Sequence, residues 1–387
     1  MKSNFRRASR PFLAIAAGAA ILTPTMAYAD PPTAQYGLAY EETFSGTSVD
    51  TSRWNFRTDV KALSAQLAAN AVIDNGQLSL LMKQESVSGK SYTGAGVVSK
   101  QAFGYGYFEV RAKNTTNTGW HNSFWMMAGD GHDTFAAGRY LEIDQAEIES
   151  ANHTLIPSGL QIWNGQPGSS TIAGPRCSTY NSGVDLTAAY HTYGADWREG
   201  AIDFYFDGIK YCTIAYSTTT YRQDPVNIWL TAIAYQNPVS VGGAPQYYDT
   251  VRFYKKDQYV MNGRYGYSES GTGWADSTLA GFGLIPQRYS CDAGAKSIYA
   301  PGFNQSGNYH VYIWKTVNAN ADTAGEVKVM DTAGTTTTMI NFTSGTSGWV
   351  DLGTHSFNTG TSNPAIGVTN TVHSGCQRAG AVKFVRV

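Results

Sequence analysis

The chain has 387 residues, with 28 Lys and Arg against 29 Asp and Glu and a formal net charge of −1. That balance sets up no strong field for nucleic acid or for an anionic membrane surface, so neither is expected as a partner. Charged residues make up only 15 % of the chain while Tyr (25) and Trp (9) are plentiful, a mix that suits stacking on the apolar face of sugar rings and equally suits β-strands.

The N-terminus reads as an export signal. Lys2, Arg6, Arg7 and Arg10 form a basic head, Phe12 to Leu22 an apolar core, and Ala27-Tyr28-Ala29 a small-x-small cleavage site. The mature chain is then expected to start near Asp30, with residues 1–29 as signal peptide and a secreted or periplasmic destination. Arg6-Arg7 hints at a twin-arginine route. The apolar run is too short to span a bilayer, and nothing later in the chain does better. About 360 residues remain, enough for two domains.

Strand signals follow, without a long helical period. Gln77-Leu78-Ser79-Leu80-Leu81, Tyr107-Phe108-Glu109-Val110-Arg111-Ala112 and Ile202-Asp203-Phe204-Tyr205-Phe206 alternate or are rich in β-branched and aromatic residues. Asp74-Asn75-Gly76 and Asp207-Gly208 supply turns. The class is all-β, and many short strands argue for sandwiches. Val251-Arg252-Phe253-Tyr254 looks like a closing strand. A Gly/Ser/Tyr-rich stretch from Gly263 to Gly273 then leads to fresh strands near Tyr309, Glu326 and Ala381. This divides the chain into residues 30–260 and a smaller β-sandwich, 261–387. Four cysteines, Cys177, Cys212, Cys291 and Cys376, allow three pairings. With two domains, Cys177–Cys212 and Cys291–Cys376 would each staple one. Their spacing fits no zinc motif.

The richest segment is Tyr140-Leu141-Glu142-Ile143-Asp144-Gln145-Ala146-Glu147-Ile148-Glu149. Acids are depleted in strands, so four in a strand-like pattern call for a reason. A period of two puts Glu142 and Asp144 on one face and Glu147 on the other. One extra residue, a β-bulge near Gln145 or Ala146, returns Glu147 to their face. Retaining glycoside hydrolysis needs two carboxyl groups about 5 to 5.5 Å apart. Four ladder steps span roughly 13 Å along a flat strand, so Glu142 and Glu147 must lean inward from a bent one. Asp144 between them can hydrogen-bond to the nucleophile, and repulsion among three acids raises at least one pKa. The competing reading is a solvent-facing edge strand with scattered acids.

The pattern Glu-x-Asp-x-x-Glu resembles the catalytic strand of family 16 glycoside hydrolases, the laminarinases, agarases and carrageenases with a bulged strand. Further pieces agree in order: Tyr40 to Gly46 with Asp50 and Trp54, Gly94 to Lys100, Tyr105 to Lys113, Phe124-Trp125-Met126-Met127, His191 to Trp197 with Phe206-Asp207-Gly208, and Asp249 to Tyr254. The resemblance runs from about residue 38 to 256. It implies a concanavalin-like β-jelly roll, with Glu142 as nucleophile, Asp144 as its assistant and Glu147 as acid/base; Glu149 has no counterpart role. Where the family often reads Trp-Pro-Ala, this chain has Trp120-His121-Asn122-Ser123. The residue before the nucleophile, often Gly in the family, is Leu141. These departures put the usual β-1,3-glucan substrate in doubt. His121, Arg139 and Gln161 suit a more polar or anionic polymer such as a galactan. A lone His, however, is as often a satisfied core residue. Trp120, Trp125 and Trp163 are candidate sugar platforms, although Trp125 sits in an apolar run that also reads as core. Some members carry calcium, for which Glu42 and Asp249 stand at plausible positions. No cofactor is otherwise expected, and the protein should act as a monomer.

In the second half, Gly273-Trp274-Ala275-Asp276, Gly294-Ala295-Lys296, Tyr309 to Trp314 and Gly348 to Gly353 resemble the golvesin C-terminal-type domain. It could bind carbohydrate through Trp274, Trp314 or Trp349, or serve stability with those rings in its core. The expected function is a secreted retaining endo-β-glycosidase acting on a galactan or β-1,3-glucan. The alternative is a non-catalytic lectin on the same sandwich. All candidate catalytic residues precede the boundary, so residues 30 to about 260 are expected to act alone on a soluble oligosaccharide.

Overall fold

The computed structural model describes residues 31–129, 139–165, 171–360 and 367–387. The signal-peptide reading lies outside the described residues. Among these, strands dominate, joined by loops and two single-turn 3-10 segments, Ala68–Asn70 and Phe282–Leu284. No helix among them is long and apolar enough to cross a membrane.

Two sheets form the first sandwich. One has eight strands, ordered Ile209–Ala215, Ala201–Phe206, His191–Arg198, Gly106–Lys113, Gln246–Lys255, Gln77–Leu80 and Ala71–Asp74, with Gly37–Glu42 also on Gln246–Lys255. The other has nine. Its path runs Thr171–Arg176, Gly159–Gly165, Arg139–Glu149, Trp120–Ala128, Val226–Ala234, Tyr92–Ser99, Ser64–Gln66 and Val60–Lys61, and Trp54–Phe56 also pairs with Tyr92–Ser99. Sequential neighbours are often far apart in the sheets, which makes this a jelly roll rather than a meander.

Period-two alternation decides which face each residue takes. Phe108, Val110 and Ala112 of one sheet meet Phe124, Met126 and Ile228 of the other in a shared buried core. Burying each large apolar side chain stabilises by roughly 1.5–3 kcal/mol. Val226–Ala234 is buried along its whole length. Its alternate residues face the inter-sheet core, and the others lie under side chains on the sheet's outer face.

The second sandwich begins with Gln258–Met261. This strand joins Ala381–Arg386, Gly307–Lys315 and Gly348–Phe357 in a four-stranded sheet. A five-stranded sheet, Tyr267–Ser270, Lys296–Tyr299, Gly367–Thr371, Gly325–Asp331 and Gly334–Ile340, packs on it around Tyr309, Val311, Val327, Val329 and Phe384. Both disulfides form, Cys177–Cys212 in the first sandwich and Cys291–Cys376 in the second.

The two sandwiches share core. Phe282, Ile285 and Ala381 belong to the same buried cluster as Trp197 and Tyr105, and Trp314 and Trp349 pack against it. Phe282 lies 4.8 Å from Trp349, and Tyr105 lies 4.7 Å from Tyr259 and 4.8 Å from Trp197. Glu199, in the turn after His191–Arg198, accepts hydrogen bonds from Trp349 Nε1 (2.9 Å), Lys383 Nζ (2.8 Å) and Tyr259 OH (3.1 Å). One expectation changes here. Trp314 and Trp349 are neither a sugar platform nor the second sandwich's own core; they fill the joint. The first domain alone would leave part of its core uncovered.

Candidate active site

The strand Arg139–Glu149 runs antiparallel between Gly159–Gly165 and Trp120–Ala128. Against the latter its register is regular up to Asp144 opposite Trp125, then skips to Ala146 opposite Phe124. Gln145 is the extra residue of a β-bulge. Its buried side chain turns toward the opposite sheet and donates to the carbonyls of Gly194 (3.2 Å) and Tyr205 (3.1 Å). Its own carbonyl accepts from Ser158 Oγ at 2.5 Å. With Gln145 and Ala146 both turned inward, Glu142, Asp144 and Glu147 emerge on the outer face together.

That face is the floor of a cleft of about 330 Å³, reached by Glu142, Asp144, Glu147, His121, Gln161 and Trp163, with Trp125 beneath. Glu142 is nearly buried and accepts from Trp163 Nε1 at 2.7 Å. Asp144 is buried and hydrogen-bonded to Glu142. Burial first, then the charges of Glu142 and Glu147, push its carboxyl well above the ordinary carboxylate range, while Arg176 pulls the other way. An Asp that keeps its proton donates to Glu142 instead of repelling it. Glu147 is more open. His121 Nε2 stands 3.7 Å from it, and His121 Nδ1 lies 2.8 Å from Glu149.

Trp163, Gln161 and His121, candidates from the sequence, line the cleft. Trp125 also lines it, stacked on Trp229 at 4.7 Å in a small apolar cluster on the cleft face. The apolar run around it suggested the inter-sheet core, but alternation puts Phe124 and Met126 there instead. Trp120 is a correction: it is fully buried between the sheets, with Nε1 donating to the Ser240 carbonyl at 2.8 Å, and cannot meet a sugar. Its parity along the strand is that of Phe124, not of His121. Arg139 opens the carboxylate strand, but its side chain lies outside the described residues. Glu42 and Asp249, the candidate calcium ligands, each meet protein partners. Glu42 accepts from Phe44 N (2.9 Å) and Trp54 Nε1 (3.1 Å) and pairs with Arg53 (2.9 Å), while Asp249 pairs with Arg111 (2.9 Å). No group of three or more His, Cys, Asp or Glu among the described residues is placed to hold a metal ion.

Arg176 and Tyr235 are among the residues at the cleft that escaped the sequence reading. Arg176 reaches Asp144 Oδ2 at 3.1 Å and also pairs with Glu147. Tyr235, 52 % exposed, stands beside His121 with ring centroids 5.4 Å apart. Tyr235 could have been found by continuing the alternation Trp229, Thr231, Ile233 by one step, since these residues too reach the cleft or its floor. Arg176 carries no comparable signal beyond its place next to Cys177.

Fold and site together define a jelly-roll sandwich with an acidic cleft on one sheet. Residues 59–247 match the model of glycosyl hydrolases family 16, and residues 260–386 match the Golvesin C-terminal domain. The first sandwich is thus similar to glycosyl hydrolases of family 16 over just under half of the chain. A beta-glucanase of Acetivibrio thermocellus is 29 % identical over 142 residues, which is 37 % of this chain and 39 % of that protein. A kappa-carrageenase of Pseudoalteromonas carrageenovora is 28 % identical over 187 residues, 41 % of this chain and 46 % of the relative. The chain therefore spans less than half the length of either. The solved structure of a non-specific endo-beta-1,3(4)-glucanase is alike in fold, with a TM-score of 0.50 at 22 % identity, over 59 % of this chain and 98 % of that one.

Proposed function

We propose that this chain is a retaining endo-β-glycosidase that cuts a polysaccharide outside the cytoplasm, with Glu142 as nucleophile, Asp144 as its assistant and Glu147 as acid/base. The observation that carries this reading is the bulge at Gln145, which brings three carboxyl groups to one face of an open cleft. Glu142 attacks the anomeric carbon while Glu147 protonates the departing glycosidic oxygen. A covalent glycosyl-enzyme forms, and Glu147 then takes a proton from the water that releases it. Trp163 Nε1 and Asp144 hold the Glu142 carboxylate in place for attack. Asp144, with its raised pKa, provides a neutral donor where a third negative charge would oppose the chemistry.

The polymer is a galactan of the agar, porphyran or carrageenan type, or a β-1,3-glucan. The relatives include proteins named for both glucan and carrageenan, and His121, Gln161, Lys61 and Arg176 give the cleft a polar lining. No cofactor enters the mechanism. The test is release of reducing ends from laminarin, mixed-linkage glucan, agar, porphyran and carrageenan, with proton NMR of the first anomeric product. A β product from at least one polymer is expected. An initial α product would sink the retaining mechanism. Binding without cleavage by the unaltered protein would make it a lectin.

A further inference from the structure

We propose that the Cys177–Cys212 disulfide is a positioning element of the cleft, acting through Arg176 on Asp144 and Glu147. The inference rests on the reading of Glu142 and Glu147 as the reacting carboxyl groups. Arg176 ends the strand Thr171–Arg176, which lies at the edge of the nine-stranded sheet and has one neighbour. The pairing with that neighbour is itself irregular, with a register shift between Gly159 and Gln161. Such a ladder leaves the last residue poorly fixed, and Arg176 keeps 40 % of its side chain exposed. An ion pair at that exposure, on a long side chain, contributes little unless something else holds the geometry.

The next residue does so. The Cys177 backbone N–H donates to the Ser158 carbonyl at 3.0 Å, and the disulfide ties Cys177 to the outermost strand of the opposite sheet. Beside Cys212, the Tyr211 hydroxyl lies 2.6 Å from Ser158 Oγ, which donates to the bulge carbonyl of Gln145. A closed circuit results. It runs from the bulge through Ser158, Tyr211, the disulfide and Arg176 back to the carboxyl groups on either side of the bulge. Gly159 completes it, because a Cβ there would fall 2.7 Å from Arg176 Cγ and 3.0 Å from Nε and Cζ. The arginine lies flat across that glycine to reach the cleft. In this arrangement Arg176 is a positioning residue. It tethers the Glu147 carboxyl over the floor and offsets the repulsion among three crowded acids.

The test is a mutant cycle on whichever polysaccharide the unaltered protein cleaves: Arg176→Met, the pair Cys177→Ser with Cys212→Ser, and all three together. Arg176→Met and the disulfide-free protein should each lose about tenfold or more in kcat, with KM changed about threefold or less. The triple variant should be no worse than Arg176→Met, and Arg176→Lys should recover part of the loss. Circular dichroism confirms the fold of each variant. If the serine pair does not fold, mild reduction and alkylation of the folded protein replaces it in the same cycle. Losses that multiply in the triple variant, or full kcat in a folded disulfide-free protein, would overturn the inference. Failure of the unaltered protein on every polymer would instead overturn the proposed function.

Discussion

Glu199→Ala removes one acceptor from three donors at once, and the joint between the sandwiches should feel it. The carboxylate is 28 % exposed and Lys383 only 14 %. All three bonds end on a carboxylate, and losing a hydrogen bond to a charged group costs about 1.5–3 kcal/mol. Lys383 keeps its position over the Trp349 ring at 4.5 Å, and water reaches part of the site, so the sum must be discounted. About 2–4 kcal/mol remains. A domain of 150–250 residues loses about 2–4 °C in Tm per kcal/mol, which puts the drop at about 4–16 °C. Glu199→Gln keeps one carbonyl acceptor and should lose about half as much. Scanning calorimetry reads both variants. Glu199 is not among the cleft residues, so hydrolysis at room temperature should be unchanged. A melting point within about 1 °C of the unaltered protein for Glu199→Ala would show that the joint is not held as described.

Glu142→Gln and Glu147→Gln should each abolish polysaccharide cleavage while leaving the circular dichroism spectrum unchanged; near-native activity in either would misassign the site. Trp163→Phe removes the 2.7 Å donor to Glu142 and should lower kcat about tenfold, read by initial rates. Asp144→Asn should raise the melting point at pH 8 although it impairs catalysis. The buried Asp144 has its pKa raised by folding, so the folded state binds the extra proton, and its stability falls as pH rises from about 4 toward the raised value. The gain from Asn should therefore shrink toward pH 4, and a lower melting point at pH 8 would refute the sign. A chain cut after Lys256 should bind hydrophobic dyes and melt well below the full protein, because Trp197 and Tyr105 lose Phe282, Trp314 and Trp349 as cover. A dye-silent truncation with the original melting point would contradict the shared core.

The carboxylate strand was legible because its chemistry conflicts with its setting. Three acids in a β pattern, out of phase by one residue, make sense only with a bulge, and the phase slip falls at Gln145. What the bulge needs to persist was not legible. The partners of Gln145 and Ser158 lie on strands brought together by the crossed topology, and no local pattern announces them. The tryptophans show the same limit. Strand parity separates Trp120 from Trp125, yet parity does not say which face of a buried sheet is the cleft. Trp314 alternates as a core residue should, and it is the second sandwich's position against the first that decides what covers it. Arg176 depends on a pairing of strands and a disulfide, so its neighbours in sequence carry little of the reason for its place.

The aromatic joint also sets a geometry of action. A module on a flexible tether searches a volume that grows with the length of its linker. Here the joint is filled by Phe282, Trp314 and Trp349 and pinned through Glu199, so the second sandwich is held against the first and not strung from it. If the second sandwich rests on a surface, that surface meets the cleft at one angle and one offset.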